Sequence, residues 1–296
     1  MLSILIPTFN YNTFPLVEEL HKQCKRIDNF SFEIIVNDDA STQIFENDLV
    51  NKLTNCYLYK QDKNQGLSAS RNYLIEKASY QWCLFLDDDI WPTSENFIRN
   101  YVNKIKDQTK PCVVFGGLEY TNNTPKTNEL LRWIYGKKHE ALSFDMRTKS
   151  KSNHFLSSNL VVEKSILKQF SYPKELKTYG YEDLIFNLKI IDNNIPVFQL
   201  NNPVFHEKLD TSEIFLIKTK KALDNLSKSI DLNLLPKNAT GISKLYYQFK
   251  KIGLENLFSF MFKINQKWME SILKGKHTNL SLYNIYRLGY FCSIDR

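Results

Sequence analysis

No run of about eighteen apolar residues occurs in the 296-residue sequence, so no transmembrane helix is expected. No G-x-G-x-x-G is present, which removes a dinucleotide-binding dehydrogenase. No G-x-x-x-x-G-K-S/T is present either, which removes a P-loop enzyme. Residues 7–13, which close the first apolar run, hold no glycine. A nucleotidyltransferase of α/β type usually places a glycine-rich phosphate loop there, so that class stands only as an alternative. Cysteine is sparse: Cys24, Cys56, Cys83, Cys112 and Cys292 form no C-x-x-C pair and no zinc spacing. This odd, scattered set reads as free, mostly buried thiols in a reducing compartment. Asn122, Asn225, Asn238 and Asn279 head N-x-S/T triplets, which carry no weight without a secretory signal. None is visible, because the apolar run at 2–7 follows Met1 directly, has no basic flank and is too short. The expectation is a cytoplasmic protein. Internal repeats and low-complexity tracts are also missing.

The residues that are present make an ordinary globular composition, at 43% hydrophobic and 24% charged. The net charge of +7 is unevenly placed. Residues 211–296 hold 14 Lys and Arg against 6 Asp and Glu, while residues 1–210 hold 25 against 26. A basic final third points either to an anionic surface or to the solvated faces of ordinary helices. Nucleic acid is not expected as a partner. For residues 242–294, peripheral contact with the inner face of a membrane stands beside plain packing of the helices on the domain.

Through residue 115 the pattern alternates. Short apolar runs at 3–7, 32–37, 56–60, 82–86 and 112–115 read as strands. Helical spacing connects Leu16, Leu20 and Cys24; then Leu67, Leu74 and Ile75; then Phe97, Ile98, Tyr101, Val102 and Ile105. Fully apolar strands alternating with helices predict a mostly parallel sheet covered on both faces. Beyond it, the pattern predicts a short helix at 129–135, a polar loop at 149–153 and a strand at 156–162. A helix comes next at 182–192, then extended pieces at 197–200 and 204–206. From residue 211 onward it is helical, broken at 236–241, with one or two amphipathic helices over 242–273 and a last one over 280–294.

Ligands of open parallel sheets bind at the carboxyl ends of the strands. Here those ends carry Thr8 and Asn10, Asp38 and Asp39, and the triplet Asp87-Asp88-Asp89. Three adjacent carboxylates repel one another and raise one another's pKa, so a fold holds them best beside a divalent cation or several donors. The plain alternative is a solvated acidic turn. Arg71 lies in NQGLSASRN, where Gly66 opens a helix whose amide end favours anions. Arg71 faces either an anion or base there, or simply the surface. Glu182 and Asp183 open the helix at 182–192, where helix capping and proton abstraction are both served by a carboxylate. Side chains of adjacent helical residues diverge by about 100°, so the two cannot share one task. Gly180 would admit a substrate closely. His206, in PVFHE, becomes a metal ligand only if the aspartates hold a metal.

Together the segments SILIPTFN, EIIVNDDAS, NQGLSASRN, LFLDDDIWP and YGYEDLIFNLKI resemble, in order and spacing, family 2 of the GT-A glycosyltransferases. The resemblance covers about 120 residues at the N-terminus, and the Glu-Asp pair and His206 extend it to about 210. It implies a Rossmann-like α/β GT-A domain over 1–210, with a nucleotide-binding half (1–115) and an acceptor-binding half (116–210). A helical extension over 211–296 completes the chain. The implied reaction is inverting transfer of a hexosyl or N-acetylhexosaminyl group from a nucleotide sugar, usually a UDP-sugar, to a glycan or lipid-linked acceptor in surface-polysaccharide assembly. Pro7, Thr8, Asn10, Asp38, Asp39, Gly66, Arg71, Asp87 and Asp88 would line the donor site. Asp89, with Asp87 and His206, would hold Mn2+ or Mg2+, and Asp183 beside Glu182 would be the general base. The family's D-D-G-S is here Asp38-Asp39-Ala40-Ser41, without the glycine. A catalytically inactive scaffold of the same fold is the reading from a different class.

Overall fold

The computed structural model describes residues 1–149 and 155–294. The loop expected at 149–153 lies, beyond Lys149, outside the described residues. In chain order the elements begin with β1 (Leu2–Thr8), α1 (Phe14–Lys25), β2 (Phe32–Asp38), β3 (Cys56–Lys60) and α2 (Leu67–Lys77). Next come β4 (Trp82–Leu86), β5 (Ile90–Pro92), α3 (Phe97–Lys106), β6 (Val113–Phe115) and β7 (Leu118–Glu119). Then α4 (Leu130–His139), α5 (Phe144–Lys149), β8 (Asn159–Glu163), α6 (Lys164–Gln169), α7 (Glu182–Asp192), β9 (Val197–Gln199) and β10 (Val204–His206) follow. The chain closes with α8 (Ser212–Asp231), α9 (Gly241–Lys251), α10 (Glu255–Lys274) and α11 (Leu280–Ser293).

Every residue of β1, β2, β4 and β8 is buried, as strands covered on both faces require. They form a seven-stranded sheet in the order β3-β2-β1-β4-β8-β6-β9. The sheet is mostly parallel, but β8 runs against both β4 and β6. Thr8 pairs with Asp38, so the ends of β1 and β2 open on one edge, and β4 releases Asp87 beside them. A second sheet, β5-β10-β7, pairs His206 with Ile90 and so places the histidine next to the aspartate triplet. β5 (three residues) and β7 (two residues) went unforeseen. The strand expected from 156 begins only at Asn159, because Ser157 and Ser158 are buried loop residues.

The described residues group into two compact units. The first, Met1–Thr121, Glu140–Lys177 and Glu182–Lys208, contains both sheets. Its core joins Leu5, Phe85, Val113 and Leu160 to Phe155, Tyr172 and Phe186. The second, Asn122–His139, Thr178–Tyr181 and Leu209–Arg296, is helical. Leu131 of α4 belongs with it because it packs among Phe215, Phe262, Leu273 and Tyr286. The short stretch at 178–181 belongs with it because Asn225 of α8 donates to the carbonyls of Thr178 (2.8 Å) and Tyr179 (3.2 Å). Gly180, with φ of +113°, lies where a Cβ would stand 2.5 Å from that of Ala222. Its missing side chain therefore makes room for α8. Thr211, Thr240 and Asn279 cap α8, α9 and α11 through their side chains. No described helix is long and apolar enough to cross a membrane.

Ala40 explains how the turn after β2 survives without its glycine. Asp38 Oδ1 accepts from Ser41 N at 2.8 Å, and Asn10 Oδ1 accepts from Thr42 N (2.8 Å) and Gln43 N (3.1 Å). This net holds Ala40 at φ +64°, the left-handed region that costs a residue with a Cβ about 1–2 kcal/mol. Ala40→Gly relieves that strain while adding unfolded-state freedom worth about 0.4–1 kcal/mol. The expected result is an unchanged or slightly higher urea midpoint. A clear drop would show that the turn is unstrained.

In the helical unit, Glu270 Oε1 accepts from Lys220 Nζ (2.9 Å), Gln266 Nε2 (2.9 Å) and Tyr286 OH (2.7 Å). Burial alone would raise its pKa, but these donors bring it down from 4.5 to about 2. Because the folded carboxyl releases its proton more readily than the unfolded one, its contribution is full above about 4.5 and is lost as pH falls toward about 2. Denaturation followed against pH should show this acid arm in the wild type. In Glu270→Gln the arm should be flattened, with a lower midpoint at neutral pH.

Candidate active site

The carboxyl edge of the sheet is organised by side chains that spend most of their polar capacity on one another. Asp39 Oδ1 accepts from Gln65 N (2.9 Å) and Oδ2 from Gly66 N (2.8 Å), so this carboxylate fastens the start of α2. Gly66 has φ of +90°, and a Cβ there would meet the Lys177 carbonyl oxygen at 2.4 Å. Only glycine fits that position without movement. Thr8 Oγ1 donates to Asp88 Oδ2 at 2.6 Å and accepts from Thr13 Oγ1 at 2.9 Å. Burial, then the neighbouring Asp89, push the Asp88 carboxyl up to about 7. Pro7 sits inside β1 opposite Asn37, and Asn10 organises the loop at 41–43.

Arg71 is 1% exposed and does not face solvent. Its Nη2 donates to Asp87 Oδ1 and its Nη1 to Asp183 Oδ1, both at 3.0 Å. Glu182 Oε1 lies 3.9 Å from Nη1, and the guanidinium carbon stands 5.2 Å from the centre of the Tyr172 ring. Burial opposes the arginine's charge, but Asp183 and then Asp87 outweigh it and raise the pKa. The expected role of facing an anion or a base thus gives way to a buried bridge between two carboxylates. Asp87, an expected metal ligand, is turned toward this arginine. Its own pKa is raised by burial, against the pull of Arg71.

Asp183 is fixed on its other side by a residue that sequence reasoning missed. Ser157 Oγ lies 2.6 Å from Asp183 Oδ1, and Ser157 N donates to Oδ2 at 3.2 Å. The same Oγ is 2.6 Å from the Tyr172 hydroxyl. Neither carries a periodic or motif signal: Ser157 is placed by the register of β8 against β4, and Tyr172 by backbone hydrogen bonds with the Asn72 side chain on α2. Because a carboxylate oxygen has two lone pairs and Oδ2 accepts this one long bond, it retains acceptor capacity. Asp183 keeps a quarter of its side chain exposed.

Asp89 Oδ2 stands 3.6 Å from His206 Nε2. Tyr120 stacks on the imidazole with ring centres 5.2 Å apart. A hard carboxylate oxygen and an imidazole nitrogen suit Mn2+, and Mg2+ accepts the carboxylate readily. Among the described residues no group of three His, Cys, Asp or Glu side chains has an arrangement that could by itself hold a metal ion. Two protein donors still fit an ion whose remaining positions are filled by water and substrate phosphates. Two clefts border these elements. One of about 740 Å³ is lined by Asp39, Gln61, Asn64 and Tyr73, and one of about 330 Å³ by Asn10, Tyr11, Asp88, Trp91 and Lys208. Burial, with Glu207, Asp89 and Asp88, pushes the Tyr11 hydroxyl up to about 12.

Residues 3–169, more than half of the chain, match the family described as Glycosyl transferase family 2. EpsH of Bacillus subtilis (strain 168) is 24% identical over 230 residues, covering 75% of this chain. The chain spans 65% of that relative's length. Among solved structures, TarS 1–349 of S. aureus in complex with UDP is similar with a TM-score of 0.53 at 17% identity, over 99% of this chain and 88% of that one. The mannosyltransferase PcManGT of Pyrobaculum calidifontis, in complex with GDP-Man and Mn2+, gives 0.53 at 16% identity, over 78% and 64%. Glucosyl-3-phosphoglycerate synthase of Mycobacterium tuberculosis, with Mn2+, UDP and glucosyl-3-phosphoglycerate, gives 0.51 at 15%, over 77% and 79%. The parallel sheet with its reversed strand, the acidic strand ends and the family match lead to one conclusion: the chain belongs to glycosyl transferase family 2 and has the GT-A fold.

Proposed function

We propose that the protein transfers a sugar, with inversion, from a UDP-sugar to a hydroxyl of a glycan or lipid-linked acceptor in surface-polysaccharide assembly. The observation that carries this reading is the bridge through Arg71, which holds Asp183 at a set distance from the end of β4. It places a carboxylate with a usable lone pair beside the acidic edge where a nucleotide sugar would bind. The UDP complexes of TarS and of the mycobacterial synthase favour uridine over guanosine as the donor base.

In the proposed reaction the acceptor hydroxyl gives its proton to Asp183 Oδ2 as its oxygen attacks the anomeric carbon. Attack comes from the face opposite the nucleotide. The new C–O bond forms as the bond from the anomeric carbon to the diphosphate breaks, and the diphosphate leaves with the electron pair. Arg71 and Ser157 keep the carboxylate from rotating, so little reorganisation is left for the reacting complex. Asp89 and His206 would hold Mn2+ or Mg2+, which when bound supplies positive charge for the leaving diphosphate. Asp39, Asn10 and Asp88 shape the walls against which the nucleoside lies.

Two experiments test this. Asp183→Asn removes the proton acceptor and leaves the donor side in place. Initial rates should fall by ~10²–10⁴-fold while UDP affinity by calorimetry is unchanged, and a near-normal rate would refute the assignment. For the donor side, titrating UDP, GDP and dTDP with and without Mn2+ should reveal metal-dependent binding of UDP. That dependence should vanish in Asp89→Ala. Binding of none of the three by the wild type would move the reading to an inactive scaffold.

A further inference from the structure

Helix α10 carries two apolar stripes where an amphipathic helix needs one. Phe262, Met269 and Leu273 form the inner stripe, buried in the core of the helical unit. Leu257, Phe260, Met261, Ile264 and Trp268 recur at helical spacing and form a second stripe, 51, 63, 52, 65 and 60% exposed. At 1.5 Å per residue it is about 16 Å long. A patch of large apolar side chains of this kind marks an interaction surface.

The charges around it select the partner. On one flank of the stripe stand Lys263 and Lys267, both exposed and in no ion pair among the described residues. Lys250 and Lys251 close the preceding helix, next to Ile252, which is 67% exposed. The acidic residues of α10 do not offset them: Glu255 opens the helix, and Glu270 is engaged by Lys220 and Tyr286. A second copy seated symmetrically on the stripe would bring lysine against lysine. A layer of anionic headgroups supplies the missing negative charge, and the stripe is shaped like those of helices that lie in the membrane interface.

We propose that the outer face of α10 docks on an anionic lipid surface, with the apolar stripe in the headgroup–acyl boundary and Lys263 and Lys267 on lipid phosphates. This docking is independent of the transfer reaction, and its test involves no turnover. The full chain is floated with vesicles of phosphatidylcholine alone or mixed with phosphatidylglycerol. The wild type should float with the mixed vesicles, poorly with phosphatidylcholine, and less as salt rises. Met261→Gln/Ile264→Gln/Trp268→Gln should stay at the bottom. Lys263→Gln and Lys267→Gln should each weaken partitioning by about fivefold. These side chains are exposed, so the melting temperature and UDP affinity of the variants should match the wild type. A wild type that does not float, or a triple variant that floats equally well, overturns the proposal. So does a wild-type dimer by light scattering that the triple variant dissolves, with no vesicle binding.

Discussion

A guanidinium with 1% of its residue exposed cannot stay charged in a protein interior without anions around it. Arg71 meets this constraint with Asp87 from the end of β4 and Asp183 from the first turn of α7. An ammonium would be a poor substitute, because the planar fork reaches two carboxylates on different elements at once. The guanidinium stands between the two carboxylates, and it could not be buried without an anion beside it. One carboxylate already balances the guanidinium's charge; the second, on its other amino group, links the strand end and the helix start through one side chain.

Around this bridge, polar groups are used for shape before they are used for substrate. Asp39 fastens the start of α2, Thr8 holds Asp88, and Asp38 with Asn10 ties the turn at 38–43. Such a lining is set by the protein's own contacts, and preorganised polarity is worth most where water is excluded. Asp89 and His206 stand apart from this pattern. They stand side by side at one end of the second sheet, with Tyr120 stacked on the imidazole.

Much of this was legible in advance, for identifiable reasons. The apolar runs at 3–7, 32–37 and 82–86 could only be strands buried on both faces, and the acids after them could only stand at the mouth of the sheet. The helix at 182–192 announces itself through its period and its acidic first turn, and it occupies those residues in the structure. The direction of Arg71 was not legible. Sequence fixes its place on α2, but the face it turns inward depends on how α2 lies across the sheet. Ser157 and Tyr172 gave no signal because both lie in loops, and they meet only once β8 pairs with β4 and Asn72 of α2 holds the Tyr172 backbone. α5 and the strands β5 and β7 went unforeseen as well.

The reversal of β8 has a consequence for how such a chain can diverge. A parallel strand presents at the carboxyl edge only the residues that come after it. The reversed strand presents those that come before it, so Ser157 enters the site from upstream, and the pairing of Leu86 with Asn159 sets its position. Insertions or deletions before Phe155 therefore end at a fixed register and leave the serine where it is. Related chains could exchange the whole stretch that leads into β8 while the contact that steadies Asp183 stays unchanged.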